Sequence, residues 1–60
     1  MFSKVKTVYV EPLYEEEAIL KLELVDHNFY VFLNIDTERY NLVYRKDDGS
    51  YGLLDFVVKG

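Results

Sequence analysis

The fold of this chain is decided by the stretch Phe29-Tyr30-Val31-Phe32-Leu33-Asn34-Ile35. Aromatic and β-branched residues fill this stretch, which is typical of a β-strand. Side chains alternate between the two faces of a strand. One face therefore carries Phe29, Val31, Leu33 and Ile35, and the other carries Tyr30, Phe32 and Asn34. Both faces are largely apolar, so we expect both of them to be buried.

One helix is predicted to cover this strand, from Leu13 to Val25, with Tyr14 at its N-cap. Three glutamates follow the cap, where the helix dipole favours negative charge. One apolar stripe consists of Tyr14, Ala18, Ile19, Leu22 and Val25, and a second of Leu13, Leu20 and Leu24. The second stripe is either a contact surface or a cover for loops. Because one helix covers one face of a sheet, a second copy of the chain is the simplest cover for the other face of the strand.

Three further strands are predicted around these two elements. Val5–Val10 is β-branched and aromatic, and we expect it to form the first strand, ended by Glu11-Pro12, because proline lacks a backbone donor. Tyr40–Arg45 and Tyr51–Phe56 alternate as the third and fourth strands, and Asp48-Gly49 is typical of a hairpin turn between them. The sequence thus predicts a β-α-β-β-β order. This is an α+β fold with a mostly antiparallel sheet, in a single domain over residues 1–60.

Composition excludes several classes of protein. The 60 residues contain no cysteine and one histidine, with a net charge of −4, which rules out disulfides and thiolate sites and favours a reducing, cytoplasmic location. The longest apolar run has five residues, far fewer than the ~20 of a membrane span, so no membrane partner is expected. A domain of about 60 residues is marginally stable alone. With half of the residues apolar, self-association is the expected remedy.

No catalytic site, metal site, cofactor or small-molecule substrate is expected. His27 precedes the central strand and is interpreted as a capping or hydrogen-bonding residue, and Asn28 beside it is the best candidate for a left-handed conformation. The Glu15–Glu17 run is interpreted as a solvated first helical turn. Asp47-Asp48-Gly49 lacks the ligand spacing of a calcium loop. The chain is therefore predicted not to be an enzyme.

A contact with RNA or with the ribosome surface is the alternative interpretation. It would use the basic residues of the chain that lie near aromatic side chains or near the N-terminus, which are Lys4, Lys6, Arg39, Arg45 and Lys46. The acidic balance of the chain argues against this interpretation, because a nucleic-acid module normally carries a basic face.

A resemblance to a known family rests on an ordered set of motifs that covers nearly the whole chain. The set consists of Glu16-Glu17-Ala18-Ile19-Leu20, His27, Phe29-Tyr30-Val31-Phe32, Asn34, Asn41-Leu42-Val43-Tyr44-Arg45 and Asp48-Gly49-Ser50-Tyr51-Gly52-Leu53. In this order and spacing the motifs resemble the C-terminal domain of long-form ribosome hibernation promoting factors. In that family a Thr-Gly turn is usual where Thr37-Glu38 stands here.

The resemblance implies a homodimerisation module. In the family, an N-terminal domain binds the small ribosomal subunit, and the C-terminal domain pairs two copies so that two inactive ribosomes are held together. That N-terminal domain is missing here, so we expect either an excised domain or a free-standing relative. The central strand and its neighbour are predicted to carry the dimer contact, through Phe29, Val31, Leu33, Leu42 and Tyr44.

Overall fold

The computed structural model describes residues 1–60, the whole chain. Its elements are β1 (Pro12–Leu13), α1 (Glu15–Leu24), β2 (Phe29–Asn34), β3 (Arg39–Arg45) and β4 (Tyr51–Asp55). The strands form one sheet in the order β1-β2-β3-β4, with β1 parallel to β2 and the other neighbours antiparallel. The predicted α+β fold and its β-α-β-β-β order are confirmed.

The first strand is not where the sequence predicts it. Residues 5–10 form no strand, and β1 lies at the proline that we expected to end it. The reason is that β1 contributes carbonyl groups to the edge of the sheet. The Leu33 N–H donates to the Glu11 carbonyl and the Ile35 N–H to the Leu13 carbonyl, each at 3.1 Å. The missing N–H of Pro12 therefore costs no hydrogen bond with β2.

The helix begins after Tyr14, as predicted, and its first turn contains three glutamates. One of them, Glu17, accepts a hydrogen bond from the Tyr14 N–H at 3.0 Å, which satisfies a backbone group at the helix start. The helix ends at Leu24, and Val25 takes an extended conformation. With ten residues it is too short and too polar to cross a membrane.

The core lies between α1 and one face of the sheet. Its buried residues are Leu13, Ala18, Leu22, Phe32 and Val43, with Ile19, Val25, Tyr30 and Tyr51 packed against them. The first predicted stripe of the helix thus faces the core, except for the exposed Tyr14. The second stripe is divided, because Leu13 is buried in β1 while Leu20 and Leu24 are exposed.

Two turns connect the antiparallel strands. The predicted hairpin turn is confirmed between β3 and β4, where Gly49 has a φ of 88° and donates its N–H to the Lys46 carbonyl. In the other turn, Glu38 has a φ of 59° and donates to the Asn34 carbonyl at 2.8 Å. The left-handed residue outside glycine is therefore Glu38, and the expectation for Asn28 is wrong. Asn28 instead accepts hydrogen bonds from Arg45.

Candidate interaction surface

The sheet has one face that its own helix does not cover. The register places Phe29 opposite Tyr44, Val31 opposite Leu42, and Leu33 opposite Tyr40, while β4 places Leu54 opposite Leu42. These seven side chains alternate with the core residues and point away from α1. We call this surface the open face, and it consists of Phe29, Val31, Leu33, Tyr40, Leu42, Tyr44 and Leu54.

The open face is apolar and accessible. Phe29, Tyr40 and Leu54 are 47%, 56% and 48% exposed, and the other four residues are half-buried by their neighbours in the sheet. None of the seven carries a charge, although the chain as a whole has a net charge of −4. Contiguous apolar patches of this kind on a small protein usually mark an interaction site.

The structure brings together all five residues predicted for the dimer contact. Phe29, Val31 and Leu33 lie along β2, and Leu42 and Tyr44 lie beside them on β3. Sequence reasoning missed Tyr40 and Leu54, which complete the same face. The alternation within β3 could have indicated Tyr40, whereas Leu54 becomes a neighbour of Leu42 only through the pairing of β3 with β4.

Gly52 shapes one end of the open face. It lies opposite Tyr44 in the register, and the ring of Tyr44 covers it so closely that a Cβ atom at this position would overlap the ring. The absence of a side chain at Gly52 therefore allows Tyr44 to lie flat across the sheet. A flat aromatic ring leaves room for a second surface to approach.

A polar network on the other side of the sheet fixes the register. Asn34 and Asn41 are fully buried, and the Asn34 amide donates to Asn41 at 2.7 Å and to Glu15 at 3.2 Å. The Asn41 amide donates in turn to Asp55 at 2.7 Å. Sequence reasoning did not assign this network, although two asparagines inside strands are an unusual signal.

The network ends in an ion pair at the edge of the core. Arg39 donates to both carboxylate oxygens of Asp55, and its Nη2 lies 2.9 Å from Oδ2. These hydrogen bonds lower the pKa of Asp55 and raise the pKa of Arg39. Because both side chains are substantially exposed, the pair serves mainly to align the ends of β3 and β4.

A second polar cluster joins the helix to the far end of the sheet. The Tyr51 hydroxyl donates to the Glu23 carboxylate, which lowers the pKa of Glu23 and raises the pKa of Tyr51. Arg45 binds the other oxygen of Glu23 at 2.8 Å and donates to the Asn28 side chain at 3.1 Å. The charged side chains of Glu23 and Arg45 are thus paired with each other, on the side of the sheet opposite the open face.

The basic residues of the alternative interpretation do not form one patch. Arg39 and Arg45 lie at opposite ends of β3, which at ~3.4 Å per residue separates their Cα atoms by about 20 Å. Each of the two is also engaged with a carboxylate, Asp55 or Glu23. Lys4 and Lys6 belong to the exposed N-terminal residues, and Lys46 begins the β3–β4 turn.

The titratable residues considered for chemistry take structural positions. His27 Nδ1 makes a hydrogen bond of 3.0 Å with the Phe29 carbonyl, and its ring packs at 4.9 Å from the Phe29 ring. This is the hydrogen-bonding role predicted for it. Asp48 accepts from the Ser50 N–H and hydroxyl, which lowers its pKa and stabilises the hairpin turn. No three acidic, histidine or cysteine side chains come close enough to hold a metal ion.

Comparison with known proteins identifies similar sequences. Residues 3–53 match the family model described as Sigma 54 modulation/S30EA ribosomal protein C terminus. The chain is 46% identical over 50 residues to the ribosome hibernation promotion factor of Bacillus subtilis, an alignment that covers 83% of this chain and 26% of that protein.

Two other relatives carry the same name. The factor of Lactococcus lactis is 40% identical over 52 residues, which are 87% of this chain and 28% of the relative. The factor of Staphylococcus aureus is 41% identical over 49 residues, which are 82% of this chain and 26% of the relative. The chain thus spans about a quarter of the length of the curated relatives it matches.

Proposed function

The chain belongs to the Sigma 54 modulation/S30EA ribosomal protein C terminus family, and on this basis we propose that it is a non-enzymatic homodimerisation module of a ribosome hibernation factor. Two linked copies would hold two inactive ribosomes together and so lower translation. The small ribosomal subunit is reached through the rest of the parent protein. The module acts in the cytoplasm, where ribosomes are, and needs no membrane or cofactor.

The open face is the observation that carries this proposal. Helix α1 covers the face of the sheet that contains Phe32 and Val43, and it leaves the face that contains Val31 and Leu42 open. A second copy presents an identical face. Two such faces can pack about a two-fold axis, so that each residue serves both sides of the contact.

The energetics favour such a pair. Complete burial of an apolar side chain such as Phe29 or Leu33 contributes about 1.5–3 kcal/mol relative to full exposure. The residues of the open face are already half-covered, so each adds roughly half of that value, but every contact occurs twice in a symmetric dimer. Seven residues on each side then contribute enough to exceed the ~4–15 kcal/mol cost of association.

The test is the mass of the chain in solution, measured by light scattering after size exclusion over a hundredfold range of concentration. The native chain is expected at twice its 7.1 kDa. Val31→Asp should weaken the dimer at least about tenfold, because loss of two half-covered valine contacts alone amounts to about 1.5–3 kcal/mol. Phe29→Ala should weaken it in the same direction.

A matched control separates the open face from other apolar surface. Leu20 is exposed on α1, on the other side of the sheet, and Leu20→Glu also introduces a carboxylate at an apolar position. This variant should remain dimeric. Circular dichroism of each variant establishes that it is folded. A folded native chain that stays monomeric, or a Val31→Asp protein that dimerises as tightly as the native one, would overturn the proposal.

A further inference from the structure

The N-terminal residues and the edge of β2 together indicate how the two copies are joined. We propose that residues 5–10 of each copy add as an extra strand to the β2 edge of the other copy. This strand exchange rests on the proposed function, because it adds a second contact to the same dimer. The partner of that edge is then an extended, largely apolar segment that contains one lysine, Lys6.

Half of the outer edge of β2 has no strand beside it. β1 pairs only with Leu33 and Asn34, at the end of β2. The backbone N–H groups of Leu33 and Ile35 point to β1. Because backbone groups alternate along a strand, those of Phe29 and Val31 point to the same edge, beyond the end of β1. No strand pairs with this part of the edge, although the Phe29 carbonyl makes a hydrogen bond with the His27 side chain, and an edge without a strand is a template for another one.

Residues 5–10 have a sequence typical of a strand, but they pair with no other strand. Val5, Val8 and Tyr9 are 81%, 70% and 91% exposed, and the segment belongs to no helix or strand. β-branched and aromatic residues of this kind favour a pleated, half-buried surface. The segment is joined to the sheet only at its C-terminal end, through Glu11 and β1.

A cavity of about 520 Å³ separates the segment from the β2 edge. Val8, Tyr9 and Val10 line one wall, and Phe29, Tyr30 and Val31 line the other. The walls are predominantly apolar, and two of their residues, Phe29 and Val31, also belong to the open face. The cavity is therefore continuous with the surface through which we propose that the copies pair.

Backbone pairing favours a second copy as the occupant. If the segment closed onto its own β2, it would be an edge strand, and its outer side would remain without hydrogen-bond partners. In a two-fold exchange, the segment of each copy enters the cavity of the other. It then pairs with β2 on one side and with the partner's segment on the other, so both of its edges are satisfied.

Charge also favours the contact. Residues 1–10 contain Lys4 and Lys6 and no acidic residue. Residues 11–60 contain five basic and eleven acidic residues, a net charge of −6. A cationic segment is therefore attracted to the body of the partner, whereas two bodies repel each other at long range.

Cysteine cross-linking distinguishes exchange from self-closure, because the chain has no cysteine of its own. Val31→Cys is combined in turn with Val8→Cys, Tyr9→Cys or Val10→Cys, and the proteins are oxidised at equilibrium. A disulfide requires Cβ atoms about 3.5–4.5 Å apart, so it forms only where the segment lies against the β2 edge. Exchange predicts that most of the chain with at least one of these pairs migrates at twice 7.1 kDa under denaturing, non-reducing conditions.

Lys59→Cys combined with Val31→Cys is the control for random collision, since Lys59 is exposed near the C-terminal end. Exchange is overturned if the reduced proteins are dimers but the disulfides form only within a chain, or do not form. It is also overturned if the control cross-links as fully as the test pairs. A native chain that is a monomer by light scattering contradicts both the proposed function and the exchange. A native dimer without disulfides between chains contradicts the exchange alone.

Discussion

Replacing Asn41 by Leu should lower the free energy of unfolding by about 2 kcal/mol. Asn41 is 1% exposed and makes three hydrogen bonds of 2.7 Å, to Asn34, to Asp55 and to the Tyr40 carbonyl. Leucine has a similar volume, so little of the cost comes from a cavity. The cost comes from the Asn34 amide, which keeps Glu15 as its one acceptor and has a second hydrogen left without a partner. An unsatisfied buried donor costs about 1–3 kcal/mol.

This loss is large for so small a chain. At about 0.05–0.15 kcal/mol per residue, a 60-residue domain has a free energy of unfolding of only about 3–9 kcal/mol. The measurement is urea unfolding at neutral pH, followed by circular dichroism at one fixed protein concentration. The concentration must be fixed because dimerisation would itself stabilise the folded state. Glu16→Gln is the control, since it changes an exposed side chain of α1 away from both the network and the open face, and it should shift the free energy by less than ~0.5 kcal/mol.

A double-mutant cycle tests the physical reason. Asn34→Leu removes the other partner of the bond, and its single effect should resemble that of Asn41→Leu. When both asparagines are replaced, neither leaves the other unsatisfied, so the double variant should cost about 1 kcal/mol less than the sum of the singles. Strictly additive effects, or an Asn41→Leu variant within ~0.5 kcal/mol of the native chain, would refute the argument that the network is stabilising.

Three further predictions concern the β2–β3 turn, the open face and the stability of the chain at low pH. Glu38→Gly should raise the free energy of unfolding by up to about 1 kcal/mol in urea, because Glu38 has a φ of 59°; no gain would contradict this. Gly52→Ala should displace the Tyr44 ring and weaken dimerisation in light scattering, and an unchanged dimer would contradict it. Asp55 has a pKa lowered from its ordinary 3.8 by its arginine partner, so its stabilisation is present above that pH and lost as pH falls through the lower value. Unfolding of Asp55→Asn should depend less on pH between 2 and 5, and an identical pH dependence would contradict the assignment.

Much of the fold follows from alternation along the chain. The period of two in residues 29–35 and 40–45 predicts two strands, and the change to a helical period predicts α1 between residues 13 and 25. All three elements begin and end within two residues of the predicted bounds. Local patterns are sufficient here because each element has one strongly apolar face.

The position of the first strand could not be obtained in this way. Residues 5–10 have the better strand sequence, but the parallel pair forms at Pro12–Leu13, where the carbonyls of Glu11 and Leu13 meet the edge of β2. These hydrogen bonds depend on the path of the chain from β1 through α1 to β2. That path is set by tertiary structure and not by local sequence. The left-handed turn residue is a similar case, because the short β2–β3 connection requires a positive φ at Glu38, whatever the preference of the residue.

The candidate surface was predicted in part for the same reason. Phe29, Val31 and Leu33 share a face within a single strand, so alternation is sufficient to group them. Leu42 and Tyr44 join them once β3 is known to pair with β2. Leu54 requires the further pairing of β3 with β4, and its place opposite Leu42 depends on the length of the hairpin turn. Each additional strand thus adds a register that no single stretch of sequence determines.

The buried asparagines connect the register to the open face. Asn34 can donate to Asn41, and Asn41 to Asp55, only when β2, β3 and β4 pair as observed. A slip of one residue in β3 would move every side chain of that strand to the opposite face of the sheet. It would bury Leu42 against α1 and expose a polar amide on the open face. The polar network on one side of the sheet therefore preserves the apolar character of the other side, on which the proposed pairing of two copies depends.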